Sequence, residues 1–196
     1  NRTETKNFKN DDITTWELKT IFLKVIKNYQ ASLENLDSLK RTPLNIYDEV
    51  LITQNNSRKF RPTLYDFLAH RAVDFYMNEE PEINRPAYKF ELTSESYFWN
   101  YSDFTKLKIE SKDTLSSKFY AIKILQDLIA FHSKDENAQA LIDADLKRFK
   151  FVKNSSTSEI KDSLYLMSLQ NLEKEFSSDP SSADVSYNIA NALIER

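Results

Sequence analysis

Apolar side chains recur at helical spacing along most of this chain, and the interruptions fall at polar or proline-bearing runs. Leu18, Phe22, Val25, Ile26 and Tyr29 share one helical face, preceded by Thr14 and Glu17 at capping-box spacing. Leu33, Leu36 and Leu39 extend that helix or begin a kinked continuation. Thr42-Pro43 reads as a second start, since Thr caps and Pro fits the first helical position. Ile46, Tyr47, Val50 and Leu51 give it an apolar face, and the run from Gln54 to Ser57 ends it. Thr63 and Asp66 cap a third helix with the stripe Leu64, Phe67, Leu68, Ala72 and Phe75, closed by Pro81.

Between residues 81 and 113 the period changes. Tyr88, Phe90 and Leu92 alternate beside Pro86, which predicts extended chain. Tyr97, Phe98, Trp99, Tyr101 and Phe104 follow as a dense aromatic cluster. The helical period then returns in Leu115, Phe119, Ile122, Leu125, Ile129 and His132. It continues in a second helix through Ala138, Leu141, Ile142, Leu146, Phe149 and Val152. A third carries Tyr165, Leu169, Leu172 and Phe176. The run from Asp179 to Ser182 breaks it, and a last helix starts near Ala183 and runs on to Arg196.

These elements predict an all-α fold, with antiparallel helical hairpins stacked as a bundle or short α-solenoid and one irregular aromatic-rich excursion. The expected organisation is a disordered tail over residues 1–12, N-terminal helices over 13–80, an extended aromatic-rich connection over 81–113, and C-terminal hairpins over 114–196. The chain opens on Asn1 without an initiator Met, so a processed or truncated form is expected, in which a removed export signal leaves no trace. The unfinished last helix suggests a longer parent chain.

Composition narrows the function classes. The chain has 196 residues, no Gly and no Cys. Without Gly it has no phosphate-cradling loop or dinucleotide fingerprint. Without Cys it has no thiol nucleophile, thiolate zinc site or disulfide. Basic residues number 27 against 30 acidic, a formal charge of −3, which speaks against a nucleic-acid partner and against a polybasic membrane anchor. No apolar run reaches the roughly 18 residues of a transmembrane helix.

Candidate chemistry is sparse. Asp66, His70 and Asp74 follow at intervals of four and line one helix face, where two carboxylates and an imidazole could ligate a divalent metal. The plainer reading is a helix cap at Asp66 and a pairing of Asp74 with Arg71 or a neighbouring helix, since one helix lacks the ligands of a closed site. His132, near Asp127, Asp135 and Glu136, reads as a histidine in a last helical turn. Asp143 and Asp145 point to different faces and read as solvated or salt-bridged, not as a shared-proton dyad. No catalytic, cofactor-binding or metal-ligating residue is assigned, and no enzyme activity is expected. Tyr97, Phe98, Trp99 and Tyr101 are the candidate recognition surface, against the plainer reading of a buried plug that pins the excursion.

Two resemblances add to this. DPSSADVSYNIANAL (residues 179–193) resembles the junction between tetratricopeptide repeats, where a Pro ends one repeat and an Ala/Asn-rich helix opens the next. It covers about half of a ~34-residue repeat, has Ser186 where the family prefers Trp, and has no second copy at a fixed period. RPTLYDFLAHRAVDFY (residues 61–76) resembles the N-terminal helical region of large bacterial alpha-2-macroglobulin-family proteins. PAYKF (86–90), LQDLIAFH (125–132), ALIDADLKRFKFV (140–152) and KDSLYL (161–166) are similar to later stretches of that region. The resemblance implies an exported protein, periplasmic or at the cell surface, of the protease-trapping class, with β-sandwich domains downstream. The thioester that some members build from a Cys and a Gln is not in this chain. The expected role is a non-catalytic scaffold or docking module whose partners are proteins: downstream domains of the same chain, and proteases through the full-length protein. The alternative is a free-standing helical-repeat adaptor that grips a peptide in a groove.

Overall fold

A computed structural model describes residues 9–54, 56–78, 88–113 and 115–195. Helical segments, short 3-10 turns included, take 65% of the described residues, about twice the ordinary third. The α-helices are α1 (Leu18–Ser32), α2 (Leu36–Arg41), α3 (Ser57–Phe60), α4 (Leu64–Tyr76), α5 (Tyr101–Phe104), α6 (Ser117–His132), α7 (Gln139–Ser155), α8 (Lys161–Glu175) and α9 (Ser182–Ile194). Among the described residues there are no strands, only the isolated bridges Pro43–Thr63 and Leu92–Ser156.

From α6 onward each helix packs on the next, and α4 packs on both α2 and α6. One apolar core runs through these contacts, from Phe22 and Ile26 of α1 to Val185 and Ala192 of α9. The fold is therefore all-α, with hairpins stacked in succession. Side chains start the helices where glycine-free loops demand it. Thr63 Oγ1 accepts the Asp66 N–H while Asp66 Oδ2 accepts the Thr63 N–H at 2.8 Å, the reciprocal cap expected for α4. Ser116 Oγ accepts the Phe119 N–H at α6, and Asn100 Oδ1 the Asp103 N–H at α5. Asn56, before α3, is the one described residue in the left-handed region, with φ 67°.

Several expectations are corrected. Thr14 and Glu17 form no capping box. Asp12 Oδ1 takes the Thr14 N–H instead, holding residues 13–15 in a 3-10 turn, and α1 begins at Leu18. Residues 9–12 are tied in rather than frayed, because the Trp16 indole N–H donates to the Lys9 carbonyl at 3.0 Å. Residues 1–8 lie outside the described residues.

Thr42-Pro43 starts no α-helix. The Thr42 and Pro62 carbonyls capture the Leu64 and Leu44 N–H groups, which fixes Pro43 as extended chain with ψ 136°. A 3-10 turn over Leu44–Tyr47 follows; Leu44 is buried, while Ile46 and Val50 are exposed. On α4 the fully buried face is Tyr65, Ala69, Ala72, Val73 and Tyr76, so of the expected stripe Ala72 alone belongs to it. Leu64, Phe67, Leu68 and Phe75 sit half-buried on the flank, where Phe75 stacks on Tyr29 at 5.0 Å. Pro81 and Pro86 lie outside the described residues, and α4 ends at Tyr76.

Candidate recognition site

The aromatic excursion is pinned by one fully buried arginine. Arg148 on α7 donates from Nη1 to the Tyr97 carbonyl at 2.9 Å and from Nη2 to the Trp99 carbonyl at 2.8 Å. Its Nε bonds Asp145 Oδ1 at 2.7 Å, one helical turn back. The guanidinium lies 4.1 Å from the Phe104 ring centroid and 4.2 Å from that of Phe149. Flat, forked and stackable, Arg suits this position and Lys does not. Burial pushes the Asp145 carboxyl up, and the Arg148 charge opposes that.

Two further side chains hold the segment down. The Ser168 hydroxyl of α8 donates to the Phe98 carbonyl at 2.7 Å. The Gln126 amide of α6 donates to the Phe104 and Leu107 carbonyls at 3.0 and 2.9 Å. Backbone carbonyls in an irregular segment need donors when buried, and these side chains supply them. Phe90, Leu92, Phe98, Phe104 and Ile109 add apolar burial.

The structure divides the four candidate aromatics. Phe98 is 4% exposed and belongs to the core. Tyr97 is half-buried against Phe90. Tyr101 is half-buried, with its hydroxyl on Glu175 at 2.8 Å; burial, then that carboxylate, pushes its pKa up to about 12. Trp99 is 51% exposed, where a wholly buried plug would have hidden it. Trp99 lines a cleft of about 390 Å³ between the excursion and α8, together with Glu95, Asp103, Asn171 and Met167. Met167, 52% exposed, is the second large apolar side chain of that rim. Met167 falls outside the Tyr165–Leu169–Leu172–Phe176 stripe of α8, in keeping with its exposure.

The Asp66, His70 and Asp74 stripe is not one site. Asp66 serves the α4 cap with one oxygen and bonds His132 Nε2 with the other, at 2.6 Å. Asp74 pairs with Lys147 at 2.5 Å. His70 is buried between Lys147, 3.4 Å from its Nδ1, and Asp143, 3.8 Å from its Nε2. Burial, then the charges of Arg61 and Lys147, push its pKa down to about 2, so the ring is neutral. His132 also meets Asp135 at 2.6 Å from Nδ1. Among the described residues no group of three His, Cys, Asp or Glu side chains is arranged to hold a metal ion. No described helix is long and apolar enough to cross a membrane.

Fold and site together define a helical-hairpin protein with an aromatic-rimmed cleft on its surface. No family model matches the chain, and no match is found among curated proteins or solved structures.

Proposed function

We propose that this chain is a non-catalytic helical scaffold and docking module of an exported alpha-2-macroglobulin-like protein of the protease-trapping class. The docking part is carried by Trp99: a large aromatic held half exposed on a backbone locked by Arg148, Ser168 and Gln126. A pre-ordered aromatic at a cleft loses little entropy on contact, which is why Trp and Tyr anchor protein interfaces. The non-catalytic part is supported by how the two histidines are used. Both His132 nitrogens are engaged by carboxylates, and His70 is buried and neutral. The family and the exported location rest on the sequence resemblance of separate stretches between residues 61 and 166. The partners are other domains of the same parent chain, and through it proteases.

A second reading, the free-standing helical-repeat adaptor, is favoured by α9, which leaves Tyr187, Leu193 and Ile194 exposed where a further repeat could stack. A photo-crosslinking residue at position 99 of the full-length parent protein, expressed in its host, separates the two. Cross-links to a β-sandwich domain of the same polypeptide, in an exported fraction, are expected. Cross-links confined to a separate protein favour the adaptor. No cross-link above that of an exposed control position overturns docking at Trp99.

A further inference from the structure

Three carbonyls beside the cleft are spent inside the fold, those of Tyr97 and Trp99 on Arg148 and that of Phe98 on Ser168. The Trp99 N–H is bonded to the Ser96 carbonyl. This stretch of backbone is therefore closed to an added peptide strand, and a ligand meets side chains instead.

Two of those side chains are uncommitted. Glu95 on the excursion and Asn171 on α8 are exposed and line the cleft. Among the described residues neither makes a hydrogen bond or an ion pair. Asp103 differs, because its two oxygens hold the Lys106 ammonium and the Asn100 amide. The cleft thus presents one free carboxylate, one free amide and two exposed apolar side chains, Trp99 and Met167. No basic side chain lines it.

That set is selective. An anion finds no counter-charge. A wholly apolar ligand would strip water from Glu95 and return no hydrogen bond. The carboxylate only accepts, whereas the amide accepts and donates, so groups that do both, such as hydroxyls, satisfy the pair. A pyranose ring carries hydroxyls around its edge and C–H groups on its faces, the second of which suit an exposed indole. The 390 Å³ of the cleft lies within the range of about 300–1,000 Å³ in which small-molecule sites fall.

We propose that this cleft binds a neutral saccharide, with one pyranose ring against Trp99 and its hydroxyls on Glu95 and Asn171. The proposal goes beyond protein docking and does not rest on it, because a saccharide needs no protein to carry it.

The test is ¹⁵N NMR of the folded protein titrated with cellotriose, maltotriose, mannotriose and chitotriose. Trp16 and Trp99 are the only tryptophans, so two indole N–H signals are followed, and Trp16→Phe assigns them. A saturable shift of the Trp99 signal is expected with at least one trisaccharide, at a Kd below about 10 mM, while Trp16 stays still. Sorbitol, which has the hydroxyls without the ring, should move neither. Saturation-transfer NMR observed on the ligand then reads the variants. Trp99→Ala removes the ring and keeps the carbonyl that Arg148 holds, so it should fold, by circular dichroism, and lose binding. Glu95→Ala and Asn171→Ala change exposed side chains and should each weaken binding by about tenfold with the melting curve unchanged. Glu95→Gln should retain binding, since an amide oxygen also accepts from a hydroxyl. No saturation with any of the four, an equal response to sorbitol, or undiminished binding in the three alanine variants overturns the proposal. Tighter binding of glucosamine than of glucose, lost in Glu95→Gln, overturns it too, because the cleft would then be a cation site. A free chain and a glycan on another protein present the same ring, and mass spectrometry of the position-99 cross-link separates them: hexose alone marks the first, hexose on a foreign peptide the second. A failed titration leaves protein cross-linking at position 99 untouched, so the two readings fail separately.

Discussion

His132 Nε2 lies 2.6 Å from Asp66 Oδ1, joining the last turn of α6 to the first turn of α4. With Asp135 on its other nitrogen, the ring donates twice and is held as an imidazolium. Burial works against that charge, but the bonds and charges of Asp66 and Asp135 outweigh it and raise the pKa. His70 goes the other way, down to about 2. The folded state therefore holds a proton on His132 that the unfolded chain releases above about pH 6.5, so stability falls as pH rises from there through the raised pKa. The unfolded chain protonates His70 below about pH 6.5 and the folded state does not, so stability also falls as pH drops from there. We expect a dome with its crest near pH 6.5 and limbs of up to about 1.4 kcal/mol per pH unit from each ring. Urea midpoints between about pH 5 and pH 9 measure it. His132→Asn should flatten the alkaline limb and His70→Gln the acid limb; an unchanged alkaline limb in His132→Asn would show that the ring is not charged in the fold.

Arg148 is the cross-brace between α7 and the excursion. Arg148→Met leaves the Asp145 carboxylate buried without its counter-charge and frees the Tyr97 and Trp99 carbonyls. A loss of about 3–5 kcal/mol is expected by chemical denaturation. Adding Asp145→Leu should recover part of it, since the uncompensated charge goes. Arg148→Lys should also destabilise, because one ammonium cannot span two carbonyls and a carboxylate in a plane. Full stability in Arg148→Lys would mean that the fork geometry is immaterial.

The sequence pattern was most informative where burial follows from one helix meeting its neighbours. Leu125, Ile129, Phe149, Val152, Leu169 and Leu172 lie in the core as their period implies. The α4 cap was legible because Thr63 and Asp66 are three apart and need nothing distant. Failures arise where partners are far away in the chain. Pro43 is held extended by residues 62–64, and no local rule signals that. Asp145 reads from the sequence as solvated or salt-bridged; it is salt-bridged to Arg148, and both are buried where Arg148 meets the carbonyls of Tyr97 and Trp99. Their position between Ala144 and Phe149 was the one local hint. The aromatic cluster signalled an ordered segment, but alternation within it could not say which ring stays outside.

The two core substitutions that the sequence ranks equally should separate. Leu125 is fully buried in the middle of α6, so Leu125→Ala is expected to cost about 2–5 kcal/mol. Phe67 is half-buried on the flank of α4 with Arg71 over its ring, and Phe67→Ala should cost about 1 kcal/mol. Thermal melts decide this, and equal losses would place Phe67 in the core after all.

Trp99 gives the most direct check on the recognition site. Its backbone is fixed through the Arg148 bond to its carbonyl, yet half of its surface meets water. An ordered backbone and a wet ring are independent properties, and both can be read from one residue. Trp16 is the only other tryptophan, half-buried with its indole N–H on the Lys9 carbonyl, so Trp16→Phe leaves Trp99 as the sole reporter. In that background the emission should be red-shifted and readily quenched by iodide in the native protein. The Trp99 amide N–H, bonded to the Ser96 carbonyl, should nonetheless show the same backbone order as the helices in ¹⁵N relaxation. The lining carboxylates Glu95 and Asp103 repel iodide, so the neutral quencher acrylamide should be more effective than iodide by more than it is with free tryptophan. A blue-shifted emission resistant to both quenchers would return Trp99 to the core and remove the rim on which docking depends. A mobile Trp99 amide would instead mean that the excursion is not pinned, and the brace assigned to Arg148 would fail with it.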